Sequence, residues 1–164
     1  MHITYTIADS TLGRVLVAAT DRGVCAVAMG ASDSELTRHL SDEYPAARLD
    51  TSARGFSTWT SEILARIEGR KAQSDLPIDV QATAFQWQVW HALAAIPRGE
   101  TRTYGEIARA IGRPRAMRAV GRACATNPVA VAIPCHRAVG SSGGMTGYRW
   151  GVERKKALLA RERG

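Results

Sequence analysis

The 164-residue sequence contains only three cysteines, and no two of them form a Cys-x-x-Cys pair. This small, odd count argues against a disulfide framework and against a cysteine-rich zinc site. No stretch approaches the roughly 18 apolar residues that a membrane span needs. The first residues, MHITYTIADS, lack the basic region and apolar core of a secretory signal. The sequence therefore predicts one or two globular domains in a reducing cytoplasm, with no membrane partner.

Charged residues are unevenly distributed along the chain. Residues 1–80 carry 8 Arg and Lys against 11 Asp and Glu, a net charge of −3, whereas residues 81–164 carry 14 against 4, a net charge of +10. A half this basic repels itself unless an anionic partner offsets the cost, and a phosphate backbone is the usual partner. Charge alone leaves two interpretations open, a nucleic-acid-binding half or a generally basic protein.

The first half shows signals for both strands and helices. Runs rich in Ile, Val and Thr, separated by tight-turn residues, predict three strands, over His2–Ala8, Arg14–Ala19 and Val24–Met29. Ser32 or Ser34 can cap a polar helix that ends before Pro45. A second helix is predicted from about residue 52 to residue 68, where Gly69 follows.

Pro77 begins a predicted linker between a first domain, residues 1–79, and a mostly helical second domain, residues 80–164. Capping and stop signals in the second domain predict three helices, which begin after Thr83, at Tyr104 and at Pro114. The last two are short and are separated by a Gly-Arg-Pro turn. This is the pattern of a helix-turn-helix.

Three arginines lie on the last of these predicted helices: Arg115, Arg118 and Arg122. Their spacing of i, i+3 and i+7 predicts that they share one helix face. A solvated basic face would explain them. Their position in the half with a net charge of +10 favours contact with DNA instead.

The most informative segment runs from Asn127 to Arg137, where an apolar stretch ends in Pro134-Cys135-His136. The neighbouring His136 and Arg137 predict an electropositive environment, which would lower the pKa of the Cys135 thiol from about 8.5 towards neutrality. We expect a thiolate nucleophile rather than a buried, inert thiol, because charged neighbours disfavour burial. Adjacent side chains of an extended chain point to opposite sides. His136 therefore reaches the thiol only through a bent backbone or an intervening water.

The sequence resembles the O6-alkylguanine-DNA alkyltransferase family over nearly its whole length. In the second half, the residues that carry the resemblance are Ala84-Phe85-Gln86, Val89-Trp90, Ile96-Pro97, Gly99-Glu100-Thr101, Tyr104, Ile107-Ala108, Arg118-Ala119-Val120-Gly121, Asn127, Ile133-Pro134-Cys135-His136-Arg137 and Gly147-Tyr148-Arg149-Trp150-Gly151. In the first half, they are Ala8-Asp9, Leu12-Gly13-Arg14 and Leu16-Val17-Ala18. The resemblance implies an α+β protein with a small amino-terminal α/β domain of ribonuclease H-like type. A mainly helical domain with a winged helix-turn-helix then follows. It also implies a monomer that needs no cofactor and no metal.

The same resemblance implies a role for each residue near the thiol. Cys135 accepts the alkyl group, and His136 takes the thiol proton through a bound water. Glu162, at the final helix, orients that histidine, and Asn127 ties the recognition helix to the active-site segment. Tyr104 helps to rotate the target phosphate and can donate a proton to the leaving O6 atom.

For DNA, the resemblance implies that Arg118 fills the gap left by a flipped base. The residues expected to contact DNA are Arg115, Arg118, Arg122, Tyr104 and Ala119. The residues expected to line the base pocket are Tyr148, Cys124, Ser141 and Ser142. Position 138 is Ala where the family usually has Val, which slightly enlarges the pocket wall.

Together these residues imply the direct reversal of alkylation damage in double-stranded DNA. The alkyl group of a flipped-out O6-alkylguanine moves irreversibly to Cys135, and O4-methylthymine is implied as a second substrate. Since nothing in the chain could hydrolyse the resulting C–S bond, each molecule would act once.

Three other interpretations remain open at this point. A lesion sensor of related sequence would bind damage without repairing it, although such proteins replace the nucleophile and position 135 is cysteine. A winged-helix transcription factor would carry Cys135 incidentally. A cysteine hydrolase or acyltransferase would use Cys135 and His136, turn over, and need no DNA.

Overall fold

The computed structural model describes residues 1–51, 57–145 and 147–164. Within these ranges no helix combines the length and the apolar character that a membrane crossing requires. The described residues form two compact units. The first comprises residues 1–80 and 128–132, and the second comprises residues 81–127 and 133–164.

The first unit is built on a four-stranded sheet with the order β3-β2-β1-β4. Its strands are β1 (His2–Ser10), β2 (Gly13–Ala19), β3 (Val24–Gly30) and β4 (Arg48–Thr51). β1 and β3 both pair antiparallel with β2, whereas β4 runs parallel to β1. The three strands predicted from sequence are confirmed within a few residues. β4 was not predicted, because its four residues, Arg-Leu-Asp-Thr, contain no apolar run.

Two helices accompany the sheet, α1 (Asp33–Glu43) and α2 (Ser57–Ile67). Ser32 caps α1 by accepting a hydrogen bond from the Glu35 backbone, so the first of the two candidate caps is the one used. Leu36 and Leu40 form the buried face of α1, one turn apart. The predicted beginning of the second helix, residues 52–56, lies outside the described residues.

The stretch at Pro77 is held against β3 and is not a free linker. The Val24 amide donates to the Pro77 carbonyl at 2.8 Å, and the Asp79 amide donates to the Val24 carbonyl at 2.9 Å. The first unit therefore continues as an ordered chain to residue 80. Pro77 therefore lies in a segment that is hydrogen-bonded to β3, and not at the start of a linker.

Residues 128–132 also pair with β3. The Val27 amide donates to the Pro128 carbonyl at 2.9 Å, and the Ala130 amide donates to the Val27 carbonyl. The chain then turns at Val131, whose φ of 59° is strained for a β-branched residue. The approach to Cys135, expected to be extended, is therefore interrupted by a turn.

The second unit is mainly helical. Its helices are α3 (Ala84–Ala94), α4 (Tyr104–Ala110), α5 (Met117–Ala125) and α6 (Val152–Arg163). β5 (Arg102–Thr103) and β6 (Ala138–Val139) pair in parallel, and a short 3₁₀ helix spans Cys135–Arg137. Capping boxes begin α3 at Thr83 and α4 at Thr103, where each threonine is followed three residues later by Gln or Glu.

The structure corrects the start of the helix that was predicted from Pro114. The Ala116 amide donates to the Arg113 carbonyl, which places Pro114 at the second position of a tight turn, where proline is favoured. α5 begins only at Met117. Arg115 therefore precedes the helix and shares no helix face with Arg118 and Arg122, although all three side chains are exposed.

A buried hydrogen bond joins α3 to α5. The Trp90 indole donates to the Ala123 carbonyl at 2.9 Å, and Trp90 is almost completely buried. Val120, Ala123 and Cys124 form the buried face of α5. The opposite face of α5 is therefore left for solvent or a partner.

The capping box at Thr83 predicts a measurable contribution to stability. Thr83 Oγ1 accepts from the Gln86 amide at 3.1 Å, and the Gln86 side chain accepts from the Thr83 amide at 2.9 Å. We expect Thr83→Ala to lower the free energy of unfolding by about 1 kcal/mol, measured by urea unfolding. Thr83→Ser keeps the acceptor and should retain most of this stability. Equal losses in both variants would show that the cap contributes nothing.

Candidate active site

Cys135 is the first residue of the 3₁₀ helix, and it is only 5% exposed. The Asn127 amide nitrogen donates to the Cys135 sulfur at 3.2 Å and to the Ile133 carbonyl at 2.9 Å. Burial raises the pKa of the Cys135 thiol, and the Asn127 hydrogen bond and the nearby Lys155 charge oppose that rise. The prediction of an unburied thiol with a lowered pKa is therefore wrong. The neighbouring charges on which it rested are directed elsewhere.

His136 is buried and faces Glu162 rather than the thiol. Its Nε2 atom forms a hydrogen bond with Glu162 Oε1. Its Nδ1 atom is also buried and has no hydrogen-bond partner within the described part of the protein. Burial lowers the pKa of His136, and Glu162 opposes that effect. The imidazole is therefore neutral near pH 7.

Glu162 is held by three groups. Arg137 donates from Nε to Glu162 Oε2 at 2.9 Å, and the Gly99 amide donates to the same oxygen at 3.4 Å. His136 bonds the other oxygen. Burial acts to raise the pKa of Glu162, but hydrogen bonds from His136 and Arg137 outweigh it and lower the pKa to about 2. Glu162 is therefore an ionised carboxylate that can only accept hydrogen bonds.

The ionised carboxylate fixes the tautomer of the histidine. Because Glu162 only accepts, the proton of the neutral His136 ring lies on Nε2. The lone pair then lies on Nδ1, the buried nitrogen for which the described residues provide no partner. This is the tautomer that a general base at Nδ1 requires.

Sequence reasoning missed Lys155 as a functional candidate, and it placed Arg137 beside the thiol, whereas the structure directs Arg137 to Glu162. Arg137 also donates to the Ile96 carbonyl at 2.7 Å, so its guanidinium links Glu162 to the residues directly after α3. Lys155 is fully buried, its Nζ lies 5.9 Å from the centre of the Tyr104 ring, and burial lowers its pKa. A signal for Lys155 was available. The buried residues of α6, Lys155, Leu158, Leu159 and Glu162, recur at i, i+3, i+4 and i+7, so two charged residues occupy apolar-face positions.

Two tyrosines and a second thiol border the site. Burial, with the adjacent Cys124 and Cys135, raises the pKa of Tyr104 to about 12, so its hydroxyl stays protonated at neutral pH. The Tyr148 hydroxyl is buried without a protein partner among the described residues, and burial raises its pKa well above the usual value. Burial also raises the pKa of the Cys124 thiol to about 12, which makes it a poor nucleophile.

The remaining predicted residues lie at the surface. Ser141 and Ser142 are exposed in a turn closed by two backbone hydrogen bonds between Gly140, Gly143 and Gly144. In the described structure no hydrogen bond joins either serine to Cys135. Arg118 and Arg122 are exposed on α5, and Ala119 between them is half-buried. The roles given to these residues stay predictions.

Two family models match the chain. The ribonuclease-like domain of 6-O-methylguanine DNA methyltransferase matches residues 3–80, and the DNA binding domain of the same family matches residues 84–164. The chain belongs to the 6-O-methylguanine DNA methyltransferase family. The family resemblance and the α+β fold class inferred from sequence are thereby confirmed.

Individual members of the methyltransferase family are similar along the whole chain. The bifunctional transcriptional activator and DNA repair enzyme Ada of Escherichia coli is 47% identical over 99% of this chain, but the chain spans only 46% of that protein. A methylated-DNA–protein-cysteine methyltransferase of Mycolicibacterium paratuberculosis is 40% identical, with 98% of this chain and 93% of that protein covered. The crystal structure of Mycobacterium tuberculosis OGT in complex with DNA is 37% identical, with a TM-score of 0.80 over 99% of this chain and 93% of that chain.

The low pKa of Glu162 predicts a pH-dependent contribution to the stability of this methyltransferase-family fold. Its folded pKa of about 2 lies below an unfolded value of about 4.3. The stabilisation is therefore present above pH 4.3 and is lost as the pH falls towards 2. We expect the difference in unfolding free energy between wild type and Glu162→Gln to shrink by on the order of 2 kcal/mol from pH 6 to pH 3.

Urea titrations at both pH values measure this difference. Glu153→Gln removes an exposed carboxylate from the same helix and serves as the control for a change in net charge. If the difference in unfolding free energy between wild type and Glu162→Gln is the same at pH 6 and pH 3, Glu162 is not an ionised, hydrogen-bonded carboxylate in the folded protein.

Proposed function

We propose that this protein reverses alkylation damage in double-stranded DNA by moving the O6-alkyl group of guanine to Cys135, once per molecule. We extend the proposal to O4-methylthymine as a second substrate. The observation that carries it is the arrangement around one thiol in a chain of this family. Cys135 accepts a hydrogen bond from Asn127, and the next residue is a neutral histidine oriented by a buried carboxylate.

The raised pKa of Cys135 means that the thiolate must be generated when substrate is bound. His136 Nδ1 carries the lone pair for this step, and a water between Nδ1 and the sulfur would carry the proton across. The Asn127 amide then stabilises the new thiolate by donating to the sulfur. The bent 3₁₀ backbone and the water together answer the geometric problem raised by two adjacent residues.

The thiolate attacks the alkyl carbon, so that a C–S bond forms as the C–O6 bond breaks. The guanine that departs gains a proton, which Tyr104 can donate because its hydroxyl remains protonated. Tyr104 then regains a proton from solvent as His136 releases to solvent the one that it took from the thiol, so the net transfer is one proton from Cys135 to guanine. The product is a thioether and an unmodified guanine. No cofactor or metal enters these steps.

The target carbon is buried in duplex DNA, so the base must be flipped out before the sulfur can reach it. The arginines beside and on α5, with the net charge of +10 in residues 81–164, supply a surface for the phosphate backbone. We assign DNA binding and alkyl transfer to residues 80–164, and we place Tyr148, Cys124, Ser141 and Ser142 around the flipped base. A monomer in a reducing cytoplasm suits this chemistry, because Cys135 must stay a free thiol.

The nucleophile predicts where the alkyl group will be found. After incubation with duplex DNA that contains O6-methylguanine, mass spectrometry should find one added CH2 unit on the peptide that carries Cys135. Cys135→Ala should abolish transfer and keep DNA affinity within a few-fold, because the thiol contacts no phosphate. Cys25→Ala is the matched control and should retain the wild-type rate of transfer. Cys124→Ala alters a residue placed at the base pocket, and its adduct should still form on Cys135.

Label on Cys25 or Cys124 of the wild type would overturn the assignment of the nucleophile. Binding without any adduct would indicate a lesion sensor or a transcription factor. Ester turnover without an adduct would indicate a hydrolase.

The proposed role of Arg118 predicts a loss that depends on the substrate. If its side chain fills the gap left by the flipped base, it stabilises only the flipped state of duplex DNA. We expect Arg118→Ala to slow single-turnover repair of duplex DNA by about tenfold or more, and to affect transfer from free O6-benzylguanine far less.

Arg115→Ala and Arg122→Ala are the comparison variants. As phosphate contacts they should weaken affinity and each reduce the slope of log affinity against log salt by about one. Equal losses for Arg118→Ala on duplex and free base would mean that Arg118 supports the pocket instead.

A further inference from the structure

Met117 is a large apolar side chain that the fold leaves uncovered. It is 45% exposed, and within the described residues the other large apolar side chain left so exposed is Met1 at the chain terminus. Single exposed apolar residues are common on protein surfaces. The position of Met117, however, is the first residue of α5, directly before Arg118.

Met117 lies against the beginning of α4 as well. A Cβ atom placed on Gly105 would lie 3.7 Å from the Met117 sulfur, so the thioether rests on the glycine that follows Tyr104. Met117 thus lies next to Arg118 in the chain and against the glycine that follows Tyr104, and the proposed function gives base flipping to Arg118 and Tyr104. Tyr104 helps to rotate the target phosphate, and Arg118 fills the gap that the flipped base leaves in the duplex.

The surrounding charge identifies duplex DNA as the occupant of this surface. Arg115 and Arg118 flank Met117 in the chain, Arg122 follows one turn later, and all three are exposed. The described residues 113–126 contain no acidic side chain. A protein partner for an apolar residue in this setting would have to be strongly acidic, whereas DNA supplies both phosphates for the arginines and apolar base faces for the methionine.

We propose that Met117 acts as an apolar wedge, which packs against the base pair next to the flipped nucleotide. This proposal rests on the proposed function. Flipping a base removes its stacking contacts and exposes the face of its neighbour. A guanidinium can satisfy the hydrogen bonds of the orphaned partner base, but it covers the apolar face incompletely. A flexible, polarisable thioether is suited to that contact, and methionine is among the side chains that wedge between base steps.

The test compares three substitutions of Met117 that all favour helix, so that α5 is retained. Met117→Leu keeps apolar bulk, Met117→Gln keeps length but adds polarity, and Met117→Ala removes both. Single-turnover rate constants are measured on duplex DNA with O6-methylguanine and on free O6-benzylguanine. The readout is the ratio of the duplex rate constant to the free-base rate constant. Thermal melting of each variant reports on the fold separately.

We expect the ratio to fall about tenfold in Met117→Ala and Met117→Gln, and to stay within about twofold of wild type in Met117→Leu. The salt dependence of DNA affinity should not change, because methionine contacts no phosphate.

An unchanged ratio in Met117→Ala would overturn the wedge. A ratio retained by Met117→Gln would overturn its apolar nature, and a changed salt slope would indicate a displaced arginine instead. Failure of the proposed function looks different, because the wild-type protein would then transfer no alkyl group from either substrate.

Discussion

The second unit is organised around the buried, ionised carboxylate of Glu162. An ion in this position is stabilised only if its oxygens are fully hydrogen-bonded, and Arg137, His136 and the Gly99 amide together provide those bonds. Arg137 extends the network to the Ile96 carbonyl at the end of α3. One side chain on α6 thereby fixes the 3₁₀ helix, the end of α3 and the loop that follows α3.

In the proposed function, the site separates the storage of the nucleophile from its activation. Burial keeps the Cys135 thiol protonated and unreactive, while Asn127 already points a donor at the sulfur. The proton acceptor is prepared separately, as the lone pair that Glu162 leaves on His136. A protonated, buried thiol resists alkylation and oxidation by other reagents, and the proposed single-turnover function would require that resistance.

Local signals predicted the elements well, and long-range contacts account for what they missed. The cap at Thr83, the Gly-Arg-Pro turn after α4 and the three amino-terminal strands follow from residues close in sequence, and the structure contains them. The start of α5 was misplaced because Pro114 favours a tight turn as strongly as a first helical turn. The surroundings of Cys135 were misjudged because Arg137 binds Glu162, which lies on a helix 25 residues later, and no local pattern reports that pairing. The pairing of His136 with Glu162 was expected from the family resemblance alone, and the structure contains it.

The pairing of residues 128–132 with β3 has a consequence for how the chain folds during synthesis. Val27 of β3 pairs with Val129, about a hundred residues later in the chain. The first unit is therefore still incomplete when its four strands have been synthesised. The helices α3 to α5 must emerge before Val129 can close that edge. Contacts at such separation slow folding. The cysteine-bearing segment follows Val129 directly, so it can take its place beside the sheet-bound residues only after α3 to α5 have been synthesised.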